Sequence, residues 1–157
     1  MTTAQNIGIT FYQNLGKLFY AVAASDKVVR KSEYDTLRKI AKSEWLKIDD
    51  IEDEFGVDAS FQIEIVFDWL DNEELNAEES FKQFEAYYHE NKSHFKDAIK
   101  QLIWTTANAI AGAFSGKNKS ELMMLGRLKL LFLNIRNYTY INYIYCISKD
   151  LSFMNIF

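Results

Sequence analysis

The sequence predicts an all-α fold, a compact array of about six to seven helices built from helix–corner–helix repeats. Three observations lead to this prediction. Apolar residues recur at helical spacing along most of the chain. The 157 residues include no proline, which suits long uninterrupted helices. A short corner pattern, in which one helix ends and the next begins, occurs three times. The length is that of one domain and is sufficient to bury a core.

The apolar spacing sets the order of the helices. The segment 60–70, SFQIEIVFDWL, alternates apolar and polar residues, which locally favours a strand. A lone strand among helices could not satisfy its backbone, so we predict a buried helix there. Asp58 and Ser93 are candidate N-caps, and 48–58 is an acidic connection. The predicted helices cover about 5–24, 34–45, 60–70, 77–90, 95–114 and 122–131.

The composition changes at the end of the last predicted helix. Residues 132–157 contain no alanine, glycine or glutamate and are rich in Ile, Asn, Tyr and Phe. The sequence is therefore divided into a helical domain, 1–131, and an atypical C-terminal tail, 132–157. The tail is either an appended or frameshifted segment, since AT-rich codons encode these residue types, or a segment that docks on a partner.

Charge and cysteine content restrict the functional classes. A formal net charge of −4 and a pI of about 5.2 give no electrostatic footprint for nucleic acid. Cys146 is the single cysteine, so no intrachain disulfide can form. The sequence has no secretory signal pattern and no apolar run long enough for a membrane span. We therefore expect a cytoplasmic protein.

The three corners share a glutamate. Residues 21–37 align with 109–125, and a weaker copy lies at 70–81. Each copy places a glutamate three residues after a candidate N-cap, which is the spacing of a capping box. This structural interpretation explains the glutamates without a ligand. The predicted N-cap and glutamate pairs are Arg30 and Glu33, Asn76 and Glu79, and Asn118 and Glu121.

An alternative interpretation treats the corners as parts of a calcium loop. If Glu33 is the last ligand of a twelve-residue loop, Asp26 falls on the fifth position. The turn glycine and two strong ligands are missing, so a true EF-hand is excluded. The carboxylates still form a candidate site for a divalent cation such as Ca²⁺. The candidate metal ligands are Asp26, Glu33, Asp68, Asn72 and Glu79.

The stretch LFYAVAASDKVVRKSEYDTLRKI, 18–40, and the less sharply matching SGKNKSELMMLGRL resemble the TerB-like family, the tellurite-resistance TerB domain. The family pattern is a helix ending in alanines, an aspartate–glycine turn, an apolar residue and an acidic helix start. Asp26 and Glu33 match its acidic positions, whereas Lys27 replaces the glycine and Arg30 a capping or acidic residue. The resemblance implies a non-enzymatic stress-response domain with an acidic surface suspected of binding metal. The alternative is a protein-interaction adaptor without metal, using exposed aromatics of helix 77–90 or the tail; a protein partner is expected in both cases.

Other chemistries lack the residues that they need. GAFSGKNKS, 112–120, has three rather than four residues between its glycines and asparagine where a phosphate loop has Ser or Thr. The two histidines, His89 and His94, do not follow a glutamate by three, as a di-iron bundle requires. We therefore expect no catalytic residues.

Overall fold

The computed structural model describes residues 3–48 and 58–134. Their fold is all-α and compact, as predicted. Short 3₁₀ turns follow α1 and α2 and precede α3 and α5, at Ala24–Asp26, Trp45–Lys47, Ala59–Phe61 and Lys92–His94. The six α-helices of these ranges are α1 (Thr3–Ala23), α2 (Lys31–Ser43), α3 (Gln62–Asn72), α4 (Ala77–Glu90), α5 (Asp97–Ala111) and α6 (Lys119–Phe132).

Helix α1 is the centre of the array. It contacts α3 and α4 most extensively and also packs against α2, α5 and α6. Every residue from Leu18 to Ala23 is buried, so this part of the helix has no solvent face. A helix that is apolar on all sides must lie inside the fold.

Gly16 explains how closely α3 approaches α1. A Cβ atom added to Gly16 would lie 2.8 Å from the carbonyl oxygen of Ile63 and 2.9 Å from Cβ of Val66. Only glycine fits this contact. Its low helix propensity, about 1 kcal/mol less favourable than alanine, is offset by the packing of two helices at short range.

Trp45 joins the end of α2 to the core. Its side chain is fully buried, and its indole N–H donates to Oγ1 of Thr106 on α5 at 3.2 Å. The ring also meets Tyr12 edge-on at 6.4 Å and Phe19 at 6.1 Å between ring centroids. Trp45 therefore connects three helices through one side chain.

The segment 60–70 forms a helix, as predicted, but this helix is amphipathic rather than buried. Ile63, Phe67 and Leu70 face the core at a spacing of four and three residues, whereas Ile65 and Trp69 are 54% and 56% exposed. The alternation that suggested a strand arises because apolar residues occupy both faces of α3.

The structure corrects two further predictions, on the exposure of the aromatic residues of helix 77–90 and on the cap of α5. The aromatic residues Phe81, Phe84 and Tyr88 of helix 77–90 are buried, because they form the core face of α4. Ser93 lies inside a 3₁₀ turn and does not cap α5, whose N-cap residue is Lys96. The connection 49–57 and tail residues 135–157 lie outside the described residues, so the division at residue 131 stays a prediction.

Asp58 acts as the predicted cap, because its Oδ1 accepts from the backbone N–H of Ser60 at 2.8 Å. None of the helices in the described ranges combines the length and apolar character that crossing a bilayer requires.

Candidate functional site

Three corners connect the helices at the predicted positions. They lie between α1 and α2, between α3 and α4, and between α5 and α6, and their N-cap residues are Arg30, Asn76 and Asn118. Each corner contains a residue with left-handed backbone two or three positions before the N-cap. These residues are Lys27 (φ 70°) in the first corner, Glu74 (φ 49°) in the second, and both Ser115 (φ 50°) and Gly116 (φ 82°) in the third.

The capping glutamates of the first and third corners bond as predicted. Glu33 Oε2 accepts from the Arg30 backbone N–H at 2.7 Å, and Glu121 Oε2 accepts from the Asn118 N–H at 2.8 Å. Asn118 completes its capping box by accepting from the Glu121 N–H at 3.0 Å. Arg30 makes no side-chain capping bond, because guanidinium has no acceptor.

The second corner forms only half of its predicted capping box. Asn76 Oδ1 accepts from the Glu79 N–H at 3.2 Å. The Glu79 carboxylate accepts instead from Nε2 of Gln83, one turn further along α4, at 3.3 Å. Glu79 is exposed, so it lacks the burial of the other two capping glutamates.

Asp26 joins the first corner to the third. Its Oδ2 accepts from Nη1 of Arg30 at 2.9 Å and from Nδ2 of Asn118 at 2.8 Å, while its Oδ1 accepts from the Val28 N–H at 3.1 Å. One carboxylate thus connects residues 92 positions apart in sequence. We call the five residues Asp26, Arg30, Glu33, Asn118 and Glu121 the paired corner.

Two buried carboxyl groups meet inside the paired corner. Glu33 is 0% exposed and Glu121 is 2% exposed, and the two carboxyl groups are close enough for Glu121 to raise the pKa of Glu33. Burial first, and then Glu121, raise the pKa of Glu33 to about 7, against the opposing effect of the hydrogen bond from the Arg30 backbone. Glu33 Oε1 meets no hydrogen-bond donor among the described residues. A proton on the Glu33 carboxyl removes the repulsion between the two buried groups.

The Arg30 guanidinium supplies the cation of the paired corner. Its Nη1 lies 2.9 Å from Asp26 Oδ2 and 3.7 Å from Glu33 Oε1, and its Cζ lies 4.8 Å from the ring centroid of Phe114. This nitrogen is within ion-pair distance of two of the predicted metal ligands. A bound metal ion would have to displace the guanidinium or share these oxygens with it.

The structure brings together only two of the five predicted metal ligands. Asp26 and Glu33 belong to the paired corner, whereas Asp68, Asn72 and Glu79 are exposed on α3 and at the start of α4. In residues 3–48 and 58–134, no group of three or more His, Cys, Asp or Glu side chains is arranged to hold a metal ion. The metal site stays a prediction.

Sequence reasoning did not include Asn118 and Glu121 among the site residues. The repeat alignment marked both as caps, but the alignment carried no sign that two copies face each other across the core. The signal that could have found them was the glutamate spacing shared by the first and third copies of the repeat.

A second surface lies on α3 and the turn that follows it. Ile65, Trp69 and Leu75 are 54%, 56% and 41% exposed, whereas the other two tryptophans, Trp45 and Trp104, are buried. We call this surface the α3 face. It consists of these three apolar residues and the four carboxylates around them, Asp68, Asp71, Glu73 and Glu74, all of which are exposed.

The charge of the α3 face is unbalanced. Segment 62–81 contains no lysine, arginine or histidine, and its acidic residues are Glu64, Asp68, Asp71, Glu73, Glu74, Glu78 and Glu79. Glu64 pairs with Arg38 at 3.3 Å, and the Glu78 carboxylate accepts from Nη2 of Arg127 at 2.9 Å. In the described ranges, the other five carboxylates form no ion pair within 4.0 Å.

Repulsion within this cluster is visible at Asp71. Partial burial and then the charges of Asp68 and Glu74 raise its pKa above the usual value. The carboxylates are therefore close enough to disfavour one another's ionised form.

Comparison of the sequence with family models, curated proteins and solved structures finds no match.

Proposed function

We propose that this chain is a non-enzymatic, TerB-like helical domain that acts as a protein-interaction module in a cytoplasmic stress response of the tellurite-resistance type. The TerB-like part of the proposal is supported by the corner pattern of residues 18–40. The interaction part is supported by one observation above all, the 56% exposure of Trp69 on a regular helix.

An exposed tryptophan on a helix forgoes a large stabilisation. Burying a large apolar side chain is worth about 1.5–3 kcal/mol. Tryptophan is also the residue type most enriched among the side chains that dominate binding energy at protein interfaces. Trp69 and Ile65 are one helical turn apart, so both can enter the same interface.

The paired corner has a structural role in this proposal. Its carboxylates are occupied by the Arg30 guanidinium, by Asn118 and by backbone N–H groups. These contacts fix the starts of α2 and α6 against each other. Within residues 3–48 and 58–134, the four carboxylates of the α3 face form no ion pair within 4.0 Å, so this face is the better candidate for binding another molecule.

Site-specific photo-crosslinking tests the interaction function. A photoreactive amino acid replaces Trp69 in the full chain, and the matched control carries it at Lys82, an exposed position of α4. We expect crosslinks to a defined protein from position 69 and not from position 82. Binding of that protein, purified, should be lost in an Ile65→Ala, Trp69→Ala variant. Equal crosslinking from both positions, or no loss of binding, would refute the proposal.

A second candidate function, divalent-cation binding, is favoured by the Glu33 carboxyl. Its Oε1 is buried and meets no donor in the part of the chain that the structure describes. It lies 3.7 Å from the guanidinium nitrogen that also contacts Asp26. Calorimetry with Ca²⁺ or Mn²⁺ tests this function. Saturable binding that is lost in an Asp26→Asn, Glu33→Gln variant would support it, and no heat at millimolar metal would exclude it.

A further inference from the structure

We propose that the partner bound at the α3 face is a basic amphipathic helical segment of another protein. Its apolar residues would cover Ile65 and Trp69, and its lysines or arginines would meet the carboxylates beside them. This inference rests on the proposed interaction function and adds the chemistry of the partner.

The apolar part of the α3 face has the geometry of a helix-docking row. Ile65 and Trp69 are four residues apart, so their side chains lie on one side of α3 about one turn from each other. An amphipathic partner helix presents its own apolar residues at the same spacing. Leu75, 41% exposed, extends the apolar surface beyond the end of α3.

An acidic row runs beside the apolar one. Glu64, Asp68 and Asp71 are spaced four and three residues apart and therefore share a side of the helix. Glu64 is neutralised by Arg38, but Asp68 and Asp71 have no ion pair in the described part of the chain. A partner with positive charges beside its apolar stripe complements this pattern.

The position of these charges along α3 also favours a cationic partner. The C-terminal end of a helix carries the negative pole of its dipole, where cations are stabilising and carboxylates are not. Asp71 and Glu73 occupy the last turn and the C-cap, and Glu74 follows with left-handed backbone. Lysine or arginine side chains from a partner would relieve both the dipole and the mutual repulsion.

The same charges disfavour other occupants. Nucleic acid and anionic membranes would be repelled by four carboxylates that form no ion pair in the described ranges. A second copy of this chain, related by a two-fold axis, would place the same carboxylates opposite one another. Among these classes of partner, only a cationic segment matches the α3 face in charge.

The test uses a designed 18-residue peptide with leucine at helical spacing, lysine elsewhere and no tryptophan. Binding to the full chain is measured by the change in tryptophan fluorescence, since Trp69 is the tryptophan at the surface. We expect saturable binding with a blue shift, weakened about tenfold or more by Asp68→Asn, Asp71→Asn. Raising the salt concentration should also weaken it.

Two controls separate specific docking from general attraction between opposite charges. The variant Glu85→Gln, Glu90→Gln removes two carboxylates of α4 that do not belong to the α3 face, and it should bind as the wild type does. A peptide with glutamate in place of lysine should not bind. Equal loss in both double variants, or binding of the acidic peptide, would overturn the inference.

Failure of the basic-peptide proposal can be told apart from failure of the proposed interaction function, because the peptide-binding and crosslinking experiments test them separately. Crosslinks from position 69 without binding of the basic peptide would leave the interaction function standing and refute the partner chemistry. Crosslinks between two copies of this chain would refute it as well. Crosslinks to a protein through a lysine- or arginine-rich helix would support it.

Discussion

Replacing Glu33 by glutamine should make the protein less sensitive to alkaline pH. In the wild type, Glu33 shares a buried contact with Glu121, and its Oε1 meets no donor among the described residues. Glutamine has the same shape as the protonated acid. Its oxygen can still accept from the Arg30 N–H, which lies 2.7 Å from the present carboxylate, and its Nε2 can donate to Glu121.

The magnitude follows from the pKa of Glu33. Folding raises it from an ordinary 4.5 to about 7, so the folded state holds the proton more tightly than the unfolded chain. The stability contributed by this proton is fully present below about pH 4.5 and is lost as the pH rises through about 7. At 1.36 kcal/mol per pKa unit, the loss by pH 8 is about 3 kcal/mol. Glu33→Gln removes this loss.

Urea unfolding followed by circular dichroism at pH 5.5, 6.5, 7.5 and 8.0 measures the effect. We expect the free energy of unfolding of the wild type to fall by about 2 kcal/mol more than that of Glu33→Gln between pH 5.5 and 8.0, since part of the loss has already occurred by pH 5.5. The matched control is Glu79→Gln, which changes the exposed glutamate of the second corner and should keep the wild-type pH profile. Parallel profiles for wild type and Glu33→Gln would show that the buried pair does not share a proton.

Three other substitutions test the packing and the corners, each by thermal or urea unfolding. Lys27→Gly should raise the free energy of unfolding by about 0.5–1 kcal/mol. A non-glycine residue with left-handed backbone costs about 1–2 kcal/mol, and part of the relief is offset because the unfolded chain gains conformational entropy with glycine. An unchanged or lower free energy of unfolding would show that Lys27 is not strained. Gly16→Ala should lower it by about 1–3 kcal/mol through overpacking against the Ile63 carbonyl, and a gain would mean that α3 moves away at little cost. Asp26→Ala should lower the free energy of unfolding by about 2–3 kcal/mol, since three donors lose a charged acceptor. The control Asp35→Ala breaks an exposed pair with a lysine and should change the free energy of unfolding by less than about 1 kcal/mol. Equal losses in the two variants would show that Asp26 has no special role.

The sequence was sufficient to predict features that depend on neighbours along the chain. The helices follow from apolar spacing, and the N-cap residues Arg30, Asn76 and Asn118 follow from the glutamate three positions later. The left-handed backbone of Lys27 could not be derived from a lysine. Only the glycine of the TerB-like pattern pointed to that position.

Features that depend on distant residues could not be predicted. The bond between Asp26 and Asn118 needs the packing of α6 beside the first corner, and no local pattern encodes it. The interpretation of 60–70 as fully buried failed because its apolar residues serve two surfaces. The predicted exposure of the aromatic residues of 77–90 is wrong, because their spacing of three and four residues forms the apolar stripe that meets the core.

The central position of α1 has a consequence for synthesis of the chain. The ribosome makes this helix before α2 to α6, yet it has no solvent face between Leu18 and Ala23. At about 5–20 residues per second, the stretch from Ala24 to Phe132 takes about 5–20 s to emerge. During that time the apolar residues 18–23 have no other helix to pack against, so we expect the nascent chain to bind chaperones that hold apolar segments until α6 has left the ribosome.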